Sequence, residues 1–307
     1  MNKKTVKITT GAAIIAIFAI LLLVNRQTGM MFEEMFMYFF PIPMIAFSAQ
    51  YGWKSSIPVL VSMAFFAFFF GTFTTIFYAT SEAMIGLVFG DMIYRKADMT
   101  KTLLVVMGMS SAVNVLNTIV LASLFGINLK DEIAEIQAIL DSVISQSGMV
   151  LPDGILTDNY VMQMLVVSMI VLGLAQGFVI YELSLLILRR LRFQFPKPRS
   201  IYSLFPPKWT GLVGMVAYYL YTYTLAKPLS NEVLQTVIQA SGMFADLYLV
   251  TFGFIGISFF LKGRLQVPAV LKVIICVLIF FTVPLLVLVA GVLYIMTDYH
   301  RSCGYDK

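Results

Sequence analysis

Thr75, Tyr78 and Glu82 stand three and four residues apart inside an otherwise apolar stretch. On a helix that spacing puts all three side chains on one face. Ser110, Asn114 and Asn117 repeat the pattern further along, and Glu33 and Glu34 open another apolar run just before Pro41 and Pro43. Together these groups could form an outward-facing pocket for a small polar solute. Glu82 would supply charge, Asn114 and Asn117 directional hydrogen bonds, and Tyr78 a ring to stack on, with Thr75 and Glu33 towards the outer end. The competing use of the same residues is structural, since Asn and Ser that bridge helices in lipid contribute about 0.6 kcal/mol each. For the two asparagines both uses stay open. Glu82 is harder to assign to packing, because a carboxylate within an apolar span needs a partner or a proton. Glu182 and Asp246 also carry charge, but each falls near the end of its run, within reach of the interface.

Other chemistries lack raw material. The chain has one histidine, His300, and two cysteines, Cys276 in an apolar run and Cys303 in the tail. Histidine-based metal sites, Ser-His and Cys-His arrangements and a stabilising disulfide are therefore not expected. No Gly-rich phosphate loop is present, so ATP-driven work would need a separate subunit. The expectation is a non-enzymatic protein with no catalytic residues, no metal and no cofactor.

The elements that must hold these residues are membrane helices. Of 307 residues, 60% are hydrophobic and 12% charged, and the mean hydropathy is +0.89. Soluble domains carry about 25% charged residues. Here the charges gather in short clusters between long apolar runs, the pattern of bilayer spans of about 20 residues. Backbone groups in lipid must bond within their own segment, which makes the runs helical. We read nine spans: 8–24, 30–49, two within 57–94 that turn near Gly71-Thr72, 102–125, 160–188, 209–226, 241–261 and 273–296. A helical stretch from Ser230 could precede the eighth. The first run follows Lys3, Lys4 and Lys7; it resembles a signal peptide but lacks a small-x-small cleavage site, so it reads as a retained span. Pro41 and Pro43 should bend or break the second.

Charge sets the topology. With a cytoplasmic N-terminus, only Arg26, Lys130, Lys227, Arg301 and Lys307 of the 21 Lys/Arg face outward, as the positive-inside rule requires. The net charge of +5 is thus a topology signal beside anionic lipid and not a sign of nucleic acid. Between spans five and six, Leu129, Ile133, Ile136, Leu140, Val143 and Ile144 fall at helical spacing among acids, with Asn128 as cap. This predicts an amphipathic helix on the outer surface, whose acidic face is solvated. Arg189, Arg190, Arg192, Lys197, Arg199 and Lys208 make a basic, proline-containing cytoplasmic loop. It could be a plain topology determinant or a surface for anionic lipid, a nucleotide or an acidic partner. Gly86-Leu87-Val88-Phe89-Gly90 and Gly173-Leu174-Ala175-Gln176-Gly177 predict tight helix crossings.

Several phrases, taken in order, resemble the substrate-binding (S) components of energy-coupling factor transporters over roughly the first 190 residues. They are Thr9-Thr10-Gly11-Ala12-Ala13, the Pro41-Ile42-Pro43 helix, Gly86 to Gly90 ahead of Tyr94-Arg95-Lys96, and Leu124-Phe125-Gly126-Ile127-Asn128-Leu129. With the chain length and the Arg189-Arg190 boundary, nearly the whole chain is similar to the YybS-like family of bacterial membrane proteins. The S-component likeness implies that Ala12 and Ala16 match the small-residue pair that packs on a transmembrane coupling subunit, which works with ATPases. Such a pair lets helices approach closely in lipid, within this chain or against another. The YybS-like likeness implies a second kind of partner, a membrane signalling enzyme, since that family is in some genomes encoded beside a membrane-bound cyclic-di-AMP phosphodiesterase. Three spans after Leu188 and the long outer loop depart from the S-component pattern.

The expected organisation is an all-α polytopic bundle in the bacterial plasma membrane. It comprises a six-helix domain over 1–190 that includes the outer loop 126–159, a basic loop over 191–208, and three further spans and a tail over 209–307. The leading function is capture of a small solute for an energy-coupling transporter. The other reading is a membrane scaffold or regulator with no transported substrate.

Overall fold

The computed structural model describes residues 3–125, 129–147, 158–196, 205–229, 231–263 and 267–297. The expected Asn128 cap, the loop residues 148–157, Lys197, Arg199 and the tail with His300, Arg301, Cys303 and Lys307 lie outside them. Among the described residues every regular element is helical. In chain order they are α1 (Lys3–Gln27), α2 (Glu33–Met37), α3 (Pro41–Tyr51), α4 (Trp53–Phe70), α5 (Phe73–Tyr94), α6 (Met99–Phe125), α7 (Leu129–Ser147), α8 (Asp158–Arg190), α9 (Lys208–Ala226), α10 (Glu232–Gly263), α11 (Ala269–Thr282) and α12 (Pro284–Met296). The protein is an all-α polytopic membrane bundle.

Six helices are long and apolar enough to cross a membrane: α1, α4, α5, α6, α8 and α10. The pair α11 and α12 makes a seventh if it counts as one span, but it bends by 117° between Thr282 and Pro284. The expected span over 273–296 is therefore two short helices with a bend between them. Pro284 has no N–H to continue the ladder and instead takes the first turn of α12, where that lack costs nothing. The expected span 30–49 is likewise two pieces, with Pro41 opening α3. At 11 residues α3 rises about 16 Å, half of the hydrocarbon thickness. α9 has the length of a span, but its Tyr and Thr residues make it less apolar than the six. The helix expected before the eighth span is continuous with it, in α10.

Helix breaks follow local chemistry. Gly52, at φ 72°, separates α3 from α4. Gly71 and Thr72 separate α4 from α5, and the Thr72 hydroxyl accepts from the Thr75 N–H at 3.3 Å to cap α5. The turn anticipated near Gly71-Thr72 is thus present, and both helices pass as span candidates.

The chain divides into two compact units, residues 1–129 with 168–198 and residues 130–167 with 199–307. Helix α7 groups with the second unit, whereas the sequence reading placed it with the first 190 residues.

In the first unit the core joins α1, α3, α4 and α5 through Phe18, Leu22, Met44, Phe47, Met63 and Ala83, and α5, α6 and α8 through Phe89, Val106 and Tyr181. Its close approaches fall at the predicted small-residue pairs. A Cβ on Gly90 would lie 2.5 Å from Ser48 Cβ and 2.6 Å from the Ile45 carbonyl oxygen, and one on Gly86 2.5 Å from the Pro41 oxygen. A Cβ on Gly173 would lie 2.4 Å from Ser111 Cα, and one on Gly177 2.6 Å from Met107 Cα. Backbones this near gain dispersion contacts that larger side chains would block.

The second unit packs α10 on α9 and α12, with Leu249, Phe259, Leu288, Tyr294 and Ile295 at its centre. Polar pairs tie it together: the Tyr160 and Tyr221 hydroxyls at 2.9 Å, and Thr210 with Tyr248 at 2.6 Å. In α7, Ile133 is buried and Ile136, Leu140 and Ile144 half-buried, while Glu135 and Asp141 are exposed. That is the predicted amphipathic stripe, except that Val143 faces out.

Candidate functional site

The polar stripes of α5 and α6 resolve into two clusters in the first unit. Thr75 and Glu82 are seven residues apart on α5, a rise of about 10 Å, and each anchors one cluster.

The deeper cluster is built on Glu82, which is 1% exposed. It lies about 14 Å from the start of α5 and about 18 Å from its end, near the middle of that helix. The Gln176 amide of α8 donates to Glu82 Oε1 at 2.7 Å, and Asn114 Nδ2 of α6 donates to Gln176 Oε1 at 3.4 Å. Three helices thus contribute one amide–amide–carboxylate relay. Glu82 Oε2 is buried without a hydrogen-bond partner, and so is Ser110 Oγ of α6. In either protonation state the carboxyl keeps one oxygen unmet. An unmet buried polar atom costs about 1–3 kcal/mol and more when charged, so a group that donates to Oε2 would relieve it.

Asn117 is used differently. Its amide donates to Ser81 Oγ at 3.1 Å, and the Ser81 hydroxyl itself donates to the Phe77 carbonyl at 2.7 Å. That is a strut between α5 and α6. Tyr78 is half-buried on α5, between Thr75 and Glu82 in the sequence.

The second cluster ties α1 and α2 to the start of α5. Thr75 Oγ1 donates to Glu33 Oε1 at 2.6 Å and Thr74 Oγ1 to the same oxygen at 3.4 Å. Asn25 Nδ2 donates to Thr75 Oγ1 at 3.5 Å, while Asn25 Oδ1 is buried and unpartnered. Glu33 is half-buried and Glu34 exposed.

The unit is electrically polarised along its helices. Lys7 Nζ bonds Ser55 Oγ, the Trp53 N–H donates to Asp91 Oδ1 at 2.9 Å, and the Tyr181 hydroxyl donates to the Met99 carbonyl at 3.2 Å. These contacts bring the starts of α1, α4 and α6 and the ends of α5 and α8 to one level. That end carries Lys4, Lys7, Lys54, Arg95, Lys96, Lys101, Arg189, Arg190 and Arg192, while the opposite end carries Arg26 with Glu33 and Glu34.

Ala12 and Ala16 are exposed on α1. Their neighbour Gly11 packs inward, where a Cβ would meet Val59 at 3.3 Å and Phe47 at 3.4 Å. The two alanines are thus left accessible, with Ala12 bordering a cleft against Pro58 and Ser62 of α4. Of the lesser candidates, Glu182 is exposed and Asp246 half-buried in the second unit.

Sequence reasoning missed Gln176, Asn25 and Thr72 as members of these clusters. Gln176 was read only as part of a small-residue packing phrase. Its position near mid-length of α8, the depth that Glu82 occupies on α5, was the signal available.

A family model described as "Predicted membrane protein (DUF2232)" matches residues 16–293. No curated protein and no solved structure matches the chain.

Proposed function

The chain belongs to this family of predicted membrane proteins, and from that premise we propose that its first unit captures a small solute for a separate energy-coupling complex, in the manner of an S component. The observation that carries the reading is Glu82, a carboxylate buried at mid-depth with one oxygen bonded to Gln176 and the other unmet. The ligand that fits is small and either positively charged or rich in N–H and O–H donors, so that it satisfies Glu82 Oε2. Glu33, Thr74 and Thr75 would receive it at the acidic end of the unit. Asn114 holds Gln176, and through it the bonded carboxylate oxygen.

The orientation we propose has the basic end and the N-terminus in the cytoplasm of a bacterial cell, following the positive-inside rule. The acidic end then faces outward. Ala12 and Ala16, exposed on α1, offer the close-approach face that a partner helix in the membrane requires. The protein acts as a carrier and not as an enzyme; transport energy comes from ATPases on another subunit.

One observation favours the second reading, a membrane scaffold or regulator of a signalling enzyme. Asn117 donates to Ser81 at 3.1 Å, an interhelical bond that turns part of the polar stripe to packing. Affinity purification of the full chain from its native membrane in mild detergent separates the two. Capture predicts recovery of a coupling subunit with ATPases, lost on Ala12→Leu with Ala16→Leu, and a co-purifying small molecule, detected by mass spectrometry, that is lost on Glu82→Gln. Recovery of a signalling enzyme, with no small molecule sensitive to Glu82, would overturn capture.

A further inference from the structure

At the basic end of the first unit, α1, α3, α5 and the segment after α8 enclose a cleft of about 720 Å³. Its polar lining is Thr10, Gln50, Tyr94, Lys96, Arg192 and Gln194. Both cations occupy the same unusual backbone position. α5 ends with the Ala97 N–H on the Met92 carbonyl and the Lys96 N–H on that of Ile93. α8 ends likewise, with Phe193 on Leu188 and Arg192 on Arg189, at 2.9–3.0 Å throughout. Each is a paired 6→1 and 5→2 helix stop, which needs a left-handed residue and usually takes glycine. Here the left-handed residues are Lys96, at φ 53°, and Arg192, at φ 61°.

An L side chain is strained in that region, and such strain persists where the surrounding structure uses it. Among the described residues Met30, at φ 62°, is the other non-glycine residue in that region; at the two helix stops of this end the side chain is both times an exposed cation on the one cleft. A topology signal alone needs charge near the end, not in the left-handed turn, as Lys54, Lys101, Arg189 and Arg190 illustrate. Among the described residues the cleft lining contains no carboxylate. Arg95, next to Lys96, pairs with Asp91 at 2.7 Å. Apolar residues such as Ile14, Phe47 and Phe193 complete the wall, so a ligand with an anionic head and an organic body fits. The volume lies in the usual range for small-molecule sites, about 300–1,000 Å³.

We propose that this cleft binds a phosphate-bearing anion held between Lys96 and Arg192. The phosphate could belong to the headgroup of an anionic lipid or to a free compound, and both present the same oxygens to the two cations. The site is separate from the Glu82 cluster and does not depend on solute capture.

The test uses the full-length protein, delipidated in mild detergent. In one arm native mass spectrometry follows retention of added phosphatidylglycerol against phosphatidylcholine. In the other, calorimetry follows inorganic phosphate and pyrophosphate. Lys96→Gly with Arg192→Gly removes both cations and relieves the backbone, so it should melt no lower than the native protein while binding weakens by about tenfold or more. Lys96→Asn with Arg192→Asn serves if the glycine pair fails to fold, since Asn tolerates the left-handed region. Lys54→Gln with Lys101→Gln removes the same charge from the same end outside the cleft and should bind as the native protein does. Selective retention of phosphatidylglycerol with this variant pattern assigns a lipid headgroup, and the same pattern with phosphate or pyrophosphate assigns a free anion. Absence of binding in both arms, or equal loss in the Lys54/Lys101 control, would overturn the proposal.

Discussion

Glu82→Gln separates a ligand site from a structural strut, because the two make opposite demands on stability. In the native protein Glu82 Oε1 accepts from Gln176 at 2.7 Å while Oε2 has no partner. A glutamine keeps an oxygen for Gln176 and so retains a neutral bond of about 0.5–1.5 kcal/mol in place of one to a charged group of about 1.5–3 kcal/mol. The loss on that side is about 1 kcal/mol. Against it stands the cost of keeping a carboxylate out of water, several kcal/mol per ion even after relaxation; the amide escapes that cost, although its NH2 takes the unmet place of Oε2 at about 1–3 kcal/mol. The expected net result is stability unchanged or raised by up to about 2 kcal/mol, with capture of the native small molecule lost. Reversible unfolding in detergent mixtures, followed by the fluorescence of Trp53 and Trp209, reads the first quantity. Mass spectrometry of co-purifying small molecules reads the second. Were the variant to lose more than about 3 kcal/mol, the signature of a broken buried pair, while its small-molecule content stayed the same, Glu82 would be a structural group and the reasoning would fall.

Gly90→Val should cost about 3 kcal/mol or more, since its Cβ would press on Ser48 Cβ and the Ile45 carbonyl, and backbone cannot yield as a side chain does; a matching drop in melting temperature checks it. Ala12→Leu with Ala16→Leu, on exposed positions, should change stability by no more than about 0.5 kcal/mol while abolishing co-purification of any partner that docks on α1. In a Cys276→Ala, Cys303→Ala background, Gly29→Cys should react with a membrane-impermeant maleimide added to intact cells and Lys101→Cys should not; the reverse pattern would invert the orientation.

The architecture was legible because lipid leaves a chain few choices. Hydropathy and the requirement for internal backbone bonding give helices, and Gly86, Gly90, Gly173 and Gly177 marked the close crossings from their spacing alone. The split at Gly71-Thr72 was visible because Lys54 and Arg95 demand the same side. The break at Pro284 is hidden in hydropathy, because the apolar run passes through it uninterrupted while only the missing N–H marks it. For the site, the shared face of Thr75 and Glu82 follows from a period of 3.6 residues. That period is silent on partners from other helices. Hence Gln176, 94 residues away, and Asn25, 50 residues away, emerge only when the fold sets their depth. The division of the polar stripe into two clusters is equally a matter of rise along α5, which a helical face does not encode.

The turn between α4 and α5 has a consequence for how the protein enters the membrane. Two uncharged residues, Gly71 and Thr72, join two apolar helices whose far ends both meet cations, Lys54 on one side and Arg95 with Lys96 on the other. Nothing in so short a link can be held back by hydration, and neither helix can leave its cationic end behind cheaply. The pair is therefore suited to insertion as one hairpin, both limbs together, and adds no net crossing. A truncation that removes α4 alone would set the direction of the chain against the cations that follow α5, whereas one that removes α4 and α5 together would leave the direction of α6 untouched.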